Sequence, residues 1–563
     1  MFLVLAAIGL AACTNDDLGG DNGPAHSGEI EESYIAINLS AAGGTRAAEN
    51  FDDGIETERA VSHADFFFFD EEGDPFPVQV NNPNDGTTSA PGGNVNCLRA
   101  VNIEFDDDTN TGDDISDSSN AVLLLKTYKG QYPSQIVAVL NWSPGDNPSY
   151  TLAQLHDAVN LTEEYEGTNY FVMSNAVYAQ GTTPVYATPL TIENIKTSES
   201  DALNAPVTIY VERVAAKVNV QAANGVADGK FLLTNKTVDY VLNGTTHTQE
   251  QVYAKILGWD LYRDNTQSKL LKEIDGTWTA DALGFNWNDS PWYRSYWATS
   301  LAAPTDDPVF DAENLPNDGK GFALGTSTSV YIGENTTGKE TCTKVVIKAQ
   351  LQNVSGDELE LAIWNNVQYV GNLALRTAVA NTLKHTYFAK SGNDYIGLKP
   401  EDLRCVPGGT ADAPTNVKAN EVYFQLSETA EVGGVYKEWY KLENGVYKPV
   451  ANNTANDTGS VKATNEALKS VPAAVLYADG ETFYYVDIRH LAPELGKTGS
   501  YGIVRNHVYN ITINSIGGYG SPVYTGVSYL EYPDITEQDS YVSAKINILS
   551  WKLVDQTVNI QPN

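Results

Sequence analysis

The chain has 563 residues, 42% hydrophobic and 19% charged, enough for roughly two to four domains with apolar cores. Lysine and arginine number 35 against 72 aspartates and glutamates, a formal charge of −37. Such a chain repels phosphate backbones, which excludes nucleic acid as a partner. Its 32 tyrosines and 46 glycines suit an all-β protein.

Residues 1–12, MFLVLAAIGLAA, form an apolar run too short to span a membrane as a mature helix. The run ends in LAAC (10–13), which resembles the bacterial lipobox, in which the cysteine thiol is lipidated. Cys13 is therefore the expected lipid-bearing residue. No basic residue precedes the run, so a translation start upstream of Met1 is expected. The polar stretch after Cys13 reads as a tether.

SYIAINL (33–39) alternates, with Ile35, Ile37 and Leu39 on one face of a strand. AAGGTRAA (41–48) follows. Its Arg46 is one of three arginines, with Arg59 and Arg99, in a 125-residue stretch without lysine. An arginine among small residues is either a solvated loop residue or a protease site. The run Phe66–Phe69 cannot be one-faced and reads as a strand buried on both sides. AVLLLKTY (121–128) and QIVAVLNW (135–142) are further apolar strands. TLAQLHDAV (151–159) has helical spacing with Thr151 as its cap. DDDTNTGDDISD (106–117) approximates an EF-hand order with Gly112 one place late. A solvated acidic loop is expected there, with weak calcium binding as the alternative.

PVTIYVERVAAKVNV (206–220) changes phase. Val207, Ile209 and Val211 share one face, and Val214, Ala216, Val218 and Val220 share the other. The slip at Glu212-Arg213 calls for a bulge or a crossover between sheets, and a domain boundary is placed near residue 222. Beyond it the pattern stays β: YAKILGWDLY (253–262), TKVVIKAQL (343–351), EVYFQL (421–426), TFYYVDI (482–488) and HVYNITINSI (507–516). YVSAKINIL (541–549) and VDQTVNI (554–560) close the chain. In the last, Val554, Val558 and Ile560 share a face with Gln556 between them. A terminal strand either pairs with its own sheet or is free to pair with another chain.

No catalytic constellation emerges. The seven histidines form no HExxH, and there is no GxSxG and no P-loop. No enzyme activity, metal or cofactor is expected. Cys97, Cys342 and Cys405 allow at most one disulfide.

Several segments, in shared order from end to end, resemble the Bacteroidales fimbrillins, the type V pilins, and among them the major subunits of short (minor) fimbriae. They are LAAC (10–13), GTRAAENFDDGIETERAV (44–61), FFFFDEEGDPF (66–76), QIVAVLNW (135–142), YVERVAAKV (210–218), FNWNDSPWYRSYW (285–297), YGIVRNHVYNITINSI (501–516) and SAKINILSWKLVDQTVNI (543–560). The resemblance implies tandem transthyretin-like β-sandwiches and export as an outer-membrane lipoprotein. It further implies that an arginine-specific surface protease cuts at Arg46-Ala47, with Arg59 as second candidate. The cut would remove the strand holding Ile35, Ile37 and Leu39. A donor strand with Val554, Val558 and Ile560, from another copy, would fill the slot, giving a head-to-tail polymer.

The expected division is a signal peptide (1–13), a propeptide with the removable strand (14–46), an N-terminal sandwich (47–222), a C-terminal sandwich (223–550) and the donor strand (551–563). Expected partners are other copies, anchor and tip subunits, the protease, and host or bacterial receptors. The alternatives are an anchor or tip subunit of the same fimbria, or a surface glycan-binding lipoprotein.

Overall fold

The computed structural model describes residues 30–41, 51–52, 54–55, 58, 60–81, 88–91, 94–101, 118–161, 171–242, 244–265, 267–274, 296–301, 323–324, 329–427, 431–432, 435–451, 459–490, 499–522 and 551–560. These residues are mostly strand, as the alternating apolar runs require.

The first large sheet is ordered, by strand, Cys97–Val101, His63–Phe69, Gln135–Leu140, Met173–Asn175, Val207–Arg213, Ile30–Ala41, Ser118–Tyr128. Phe66, Phe67, Phe68 and Phe69 are all fully buried within it. Both faces of their strand are covered, so the run needs no alternation. The two apolar strands at 118–128 and 135–140 do not pair with each other. Ser118–Tyr128 pairs instead with Ile30–Ala41. The short helix Leu152–Asp157 packs Leu155 into this core. Thr151 caps it: its hydroxyl accepts from Gln154 N at 3.1 Å, and Gln154 Oε1 accepts from Thr151 N at 2.9 Å.

The phase change in 206–220 is a crossover. Val207–Arg213 belongs to the first sheet and Ala216–Ala222 to a second, with the break at Val214-Ala215, just past the expected slip. The second sheet is ordered Ser329–Ile332, Ala216–Ala222, His507–Ile516, Trp551–Ile560, Phe51–Asp52. A third is ordered Lys230–Leu242, Thr245–Tyr262, Lys344–Gln352, Glu481–Asp487, Ser521–Pro522. Val218, Val220, Ile511 and Ile513 of the second sheet and Val252, Ala254, Ile347 and Val486 of the third share one core. That is sheet-on-sheet packing. The first core also takes Leu270, Leu271, Ile274 and Tyr296, from beyond the crossover.

A smaller core stands beside the sandwich. The chain leaves along Leu361–Trp364 and returns along Val475–Tyr477, which are paired with Ile363 opposite Val475. Between them lie the helices Asn372–Leu383 and Gly459–Leu468 and a sheet holding Trp439. Leu375 and Val379, four residues apart, bury one face of the first of these helices.

Candidate functional site

The two terminal strands occupy different sheets. Ile30–Ala41 is an inner strand. One side runs antiparallel to Ser118–Tyr128, from Ile30 opposite Tyr128 to Ser40 opposite Ser118. The other runs parallel to Val207–Val211, from Ile37 opposite Val207 to Ala41 opposite Val211. Ile35, Ala36 and Ile37 are all 0% exposed. Tyr34 exchanges backbone hydrogen bonds with Lys196, at 2.7 and 2.9 Å, and the helix Glu199–Leu203 follows that contact. Removing this strand would open a slot between two facing edges, each with unpaired N–H and C=O groups. Leu39 keeps its backbone register opposite Ile209 and Ser119; its side chain lies outside the described set.

The C-terminal strand, Trp551–Ile560, pairs with its own chain. It runs parallel to His507–Ile516, with Val554 opposite Tyr509, Val558 opposite Ile513 and Ile560 opposite Ile516. A register shift falls between Ile513 and Ser515. Among the described residues its other side is paired only with Phe51 and Asp52, opposite Lys552 and Trp551. Most of that outer edge therefore has no partner among the described residues. The side chains of Val554, Val558 and Ile560 lie outside the described set.

Between the first two sheets sits a buried ionic cluster that the sequence reading did not single out. Lys272 Nζ is 2.9 Å from Glu212 Oε2, and both side chains are buried. Arg505 Nη2 is 2.7 Å from Glu334 Oε2, and the same guanidinium donates to the carbonyls of Lys269 and Leu270. Burial pushes the Glu212 carboxyl up and the Lys272 ammonium down, overriding the attraction of each for its partner. Beside them, Glu58 takes Lys217 Nζ at 2.7 Å and the Tyr331 hydroxyl. Burial works to raise the Glu58 carboxyl, but the bonds from Lys217 and Tyr331 and the nearby charges of Lys217 and Arg213 hold it below its ordinary value. Arg213 donates to the Glu58 carbonyl at 2.8 Å and to Asn506 Oδ1 at 3.3 Å. Asn506 N donates to the Ala215 carbonyl at 2.7 Å. The visible signal in the sequence was Glu212-Arg213, two charges inside an apolar strand.

Cys13, Arg46, Ala47, Arg59 and the acidic stretch 106–117 lie outside the described residues. His490 and His507 are fully buried and structural: His490 Nδ1 is 2.9 Å from the Tyr509 hydroxyl, and His507 Nδ1 is 2.6 Å from the Arg505 carbonyl. Among the described residues no group of three or more His, Cys, Asp or Glu could hold a metal ion, and no helix is long and apolar enough to cross a membrane. Cys97, Cys342 and Cys405 are free thiols.

The fold and its terminal strands define a class: an all-β protein whose first strand is locked inside one sheet and whose last strand lies near the edge of another. Residues 475–557, ending within the C-terminal strand, match the family described as major fimbrial subunit protein type IV, fimbrillin, C-terminal. The match places a fimbrillin-type C-terminal segment in this chain and covers those residues alone. A search of curated protein sequences gives no match. Among solved structures, a candidate cell adhesion protein of Parabacteroides distasonis aligns at 13% identity and TM-score 0.30, over 69% of this chain and 95% of that one. A fimbrial assembly protein of the same organism aligns at 13% identity and TM-score 0.26, over 73% and 100%. The tip fimbrial protein Mfa3 of Porphyromonas gingivalis, with C-terminal truncation, aligns at 13% identity and TM-score 0.26, over 60% and 81%.

Proposed function

We propose that this chain is a structural pilin of an adhesive surface fimbria, made as a lipoprotein on Cys13 and activated by an arginine-specific surface protease at Arg46-Ala47. The cut frees residues 47–563 from the lipid and from the strand Ile30–Ala41. The slot left behind takes the C-terminal strand of a second copy. The observation that carries this reading is the inner position of Ile30–Ala41, with Ile35 and Ile37 fully buried, upstream of the arginine. An inner strand cannot leave without leaving buried backbone groups unpaired, and another strand is the natural repair.

The incoming strand must run as the old one did, parallel to Val207–Val211 and antiparallel to Ser118–Tyr128. Trp551–Ile560, held on its outer side by two residues, is the donor in this scheme. Its Val554, Val558 and Ile560 would replace Ile35, Ile37 and Leu39. Such a contact joins unlike surfaces of two copies and so propagates as a filament. The domain division at residue 222, the anchor and tip subunits as partners, and host or bacterial receptors belong to the same proposal.

The test is treatment of lipid-free precursor with an arginine-specific protease. Mass spectrometry reads the new N-terminus and electron microscopy the assembly state. The expected result is a cut after Arg46 followed by fibres, with no fibres from a chain lacking residues 551–563. Cleavage at Arg46 that leaves a monomer under all conditions would overturn the pilin reading in favour of a surface-binding lipoprotein.

A further inference from the structure

The stretch of chain between the strands Ile30–Ala41 and His63–Phe69 contains two Arg-Ala bonds, Arg46-Ala47 and Arg59-Ala60. An arginine-specific enzyme gains nothing from the bond itself to choose between them. The residues flanking the second bond do discriminate.

Glu58, immediately before Arg59, is 0% exposed. Every polar group it owns is engaged. Its amide donates to the Ile55 carbonyl at 2.9 Å, and its Oε2 accepts from Ile55 N at 3.1 Å. Its Oε1 takes Lys217 Nζ at 2.7 Å together with the Tyr331 hydroxyl, and its carbonyl accepts from Arg213 Nε at 2.8 Å. Three of these partners, Arg213, Lys217 and Tyr331, come from strands of both sheets. On the other side of the bond, Asn141 Nδ2 donates to the Ala60 carbonyl at 3.0 Å, and Asn141 Oδ1 accepts from Ser62 N at 2.8 Å. His63 then opens a sheet strand.

A protease binds several residues on each side of the bond it cuts, drawn out as an extended strand. To present Arg59, the fold would have to give up the Glu58 pocket and the Asn141 bonds together. It would also leave Lys217 and Arg213 facing a vacated site. Local opening of that kind is rare, and cleavage follows the open fraction.

We infer that Glu58 is a guard residue: it withholds Arg59-Ala60 from the processing protease and pins the segment after Arg46 to the junction of the sheets. This rests on the processing reading above. The segment following the cut, Phe51 and Asp52 included, then stays with the mature chain through the Glu58 bonds, instead of being lost with the propeptide.

The test uses full-length Arg46→Ala precursor, digested with an arginine-specific protease in native buffer and in urea that unfolds it, with new N-termini read by mass spectrometry. Cleavage after Arg59 is expected at least about 100-fold slower in the native sample. Comparable rates in the two samples would overturn the inference. Glu58→Gln and the milder Tyr331→Phe should each raise native cleavage at Arg59, by about 10-fold or more for Glu58→Gln. Native rates unchanged in both folded variants would also overturn it. The Arg46→Ala comparison leaves Glu58 intact and so stands if Glu58→Gln does not fold. Wild-type precursor left uncut at both arginines when native, but cut at Arg59 in urea, would sink the processing reading and support the guard.

Discussion

Replacing Ile37 by alanine tests the locked N-terminal strand most directly. Ile37 is 0% exposed and lies where the strand meets both neighbours, opposite Val207 and Ala121. The change removes three carbon groups, about 2.4 kcal/mol at about 0.8 kcal/mol each. The residual cavity adds to this, because paired strands on both sides limit collapse, so the total falls at about 2.5–5 kcal/mol. Ile30 on the same strand is 43% exposed, and Ile30→Ala should cost under about 0.5 kcal/mol. Urea denaturation of the full-length precursor, read by hydrogen exchange, is the assay. Faster exchange should be confined to 118–128, 207–213 and the strand itself. If Ile37→Ala costs less than about 1 kcal/mol, or loosens the C-terminal sheets equally, the slot does not depend on this strand.

Three other outcomes follow from the geometry. Lys272→Met should destabilise by about 3–5 kcal/mol by leaving Glu212 buried without its cation, whereas adding Glu212→Gln should recover most of that loss in thermal melts. Glu58 titrates below its ordinary value of 4.5 in the folded chain. Its stabilisation is therefore fully present above that value and is lost as pH falls through the folded pKa, so wild type and Glu58→Gln should differ in melting temperature at pH 7 and converge in acid. Burial pushes the Cys342 thiol up to about 11, the Cys405 thiol up to about 12 and the Cys97 thiol well above its usual range. All three should resist iodoacetamide at pH 8 in native protein and react once it is unfolded.

Much of the β architecture was legible because strand periodicity is local. The unbroken Phe66–Phe69 run and the phase change after Val211 each named a burial pattern that the fold displays, whereas Ala36, between Ile35 and Ile37, is buried with them. The crossover was placed slightly early because Glu212 and Arg213 look like a surface interruption. In fact both are buried, and each is paired with residues far away in the chain, Lys272 for Glu212, and Glu58 and Asn506 for Arg213. Nothing in local sequence marks such partners. The helix Asn372–Leu383 went unread although Leu375, Val379 and Ala380 carry its spacing, since Thr, Asn and Ala between them blur the stripe. Partner choice was also out of reach. Ser118–Tyr128 pairs with the N-terminal strand and not with Gln135–Leu140, the next apolar strand in the chain.

The small core between Trp364 and Val475 has a consequence for how such a chain can vary. Its entry and exit strands lie side by side, with Ile363 opposite Val475. The main sandwich meets that whole stretch as if it were one surface loop. Residues there can be lengthened, shortened or exchanged for another folded unit while the strands that carry the sandwich keep their register. The outward appearance of this part of the chain is in this way uncoupled from the sheets of the sandwich. On the proposed pilin reading, one chain can present a changing face while still joining the same neighbours.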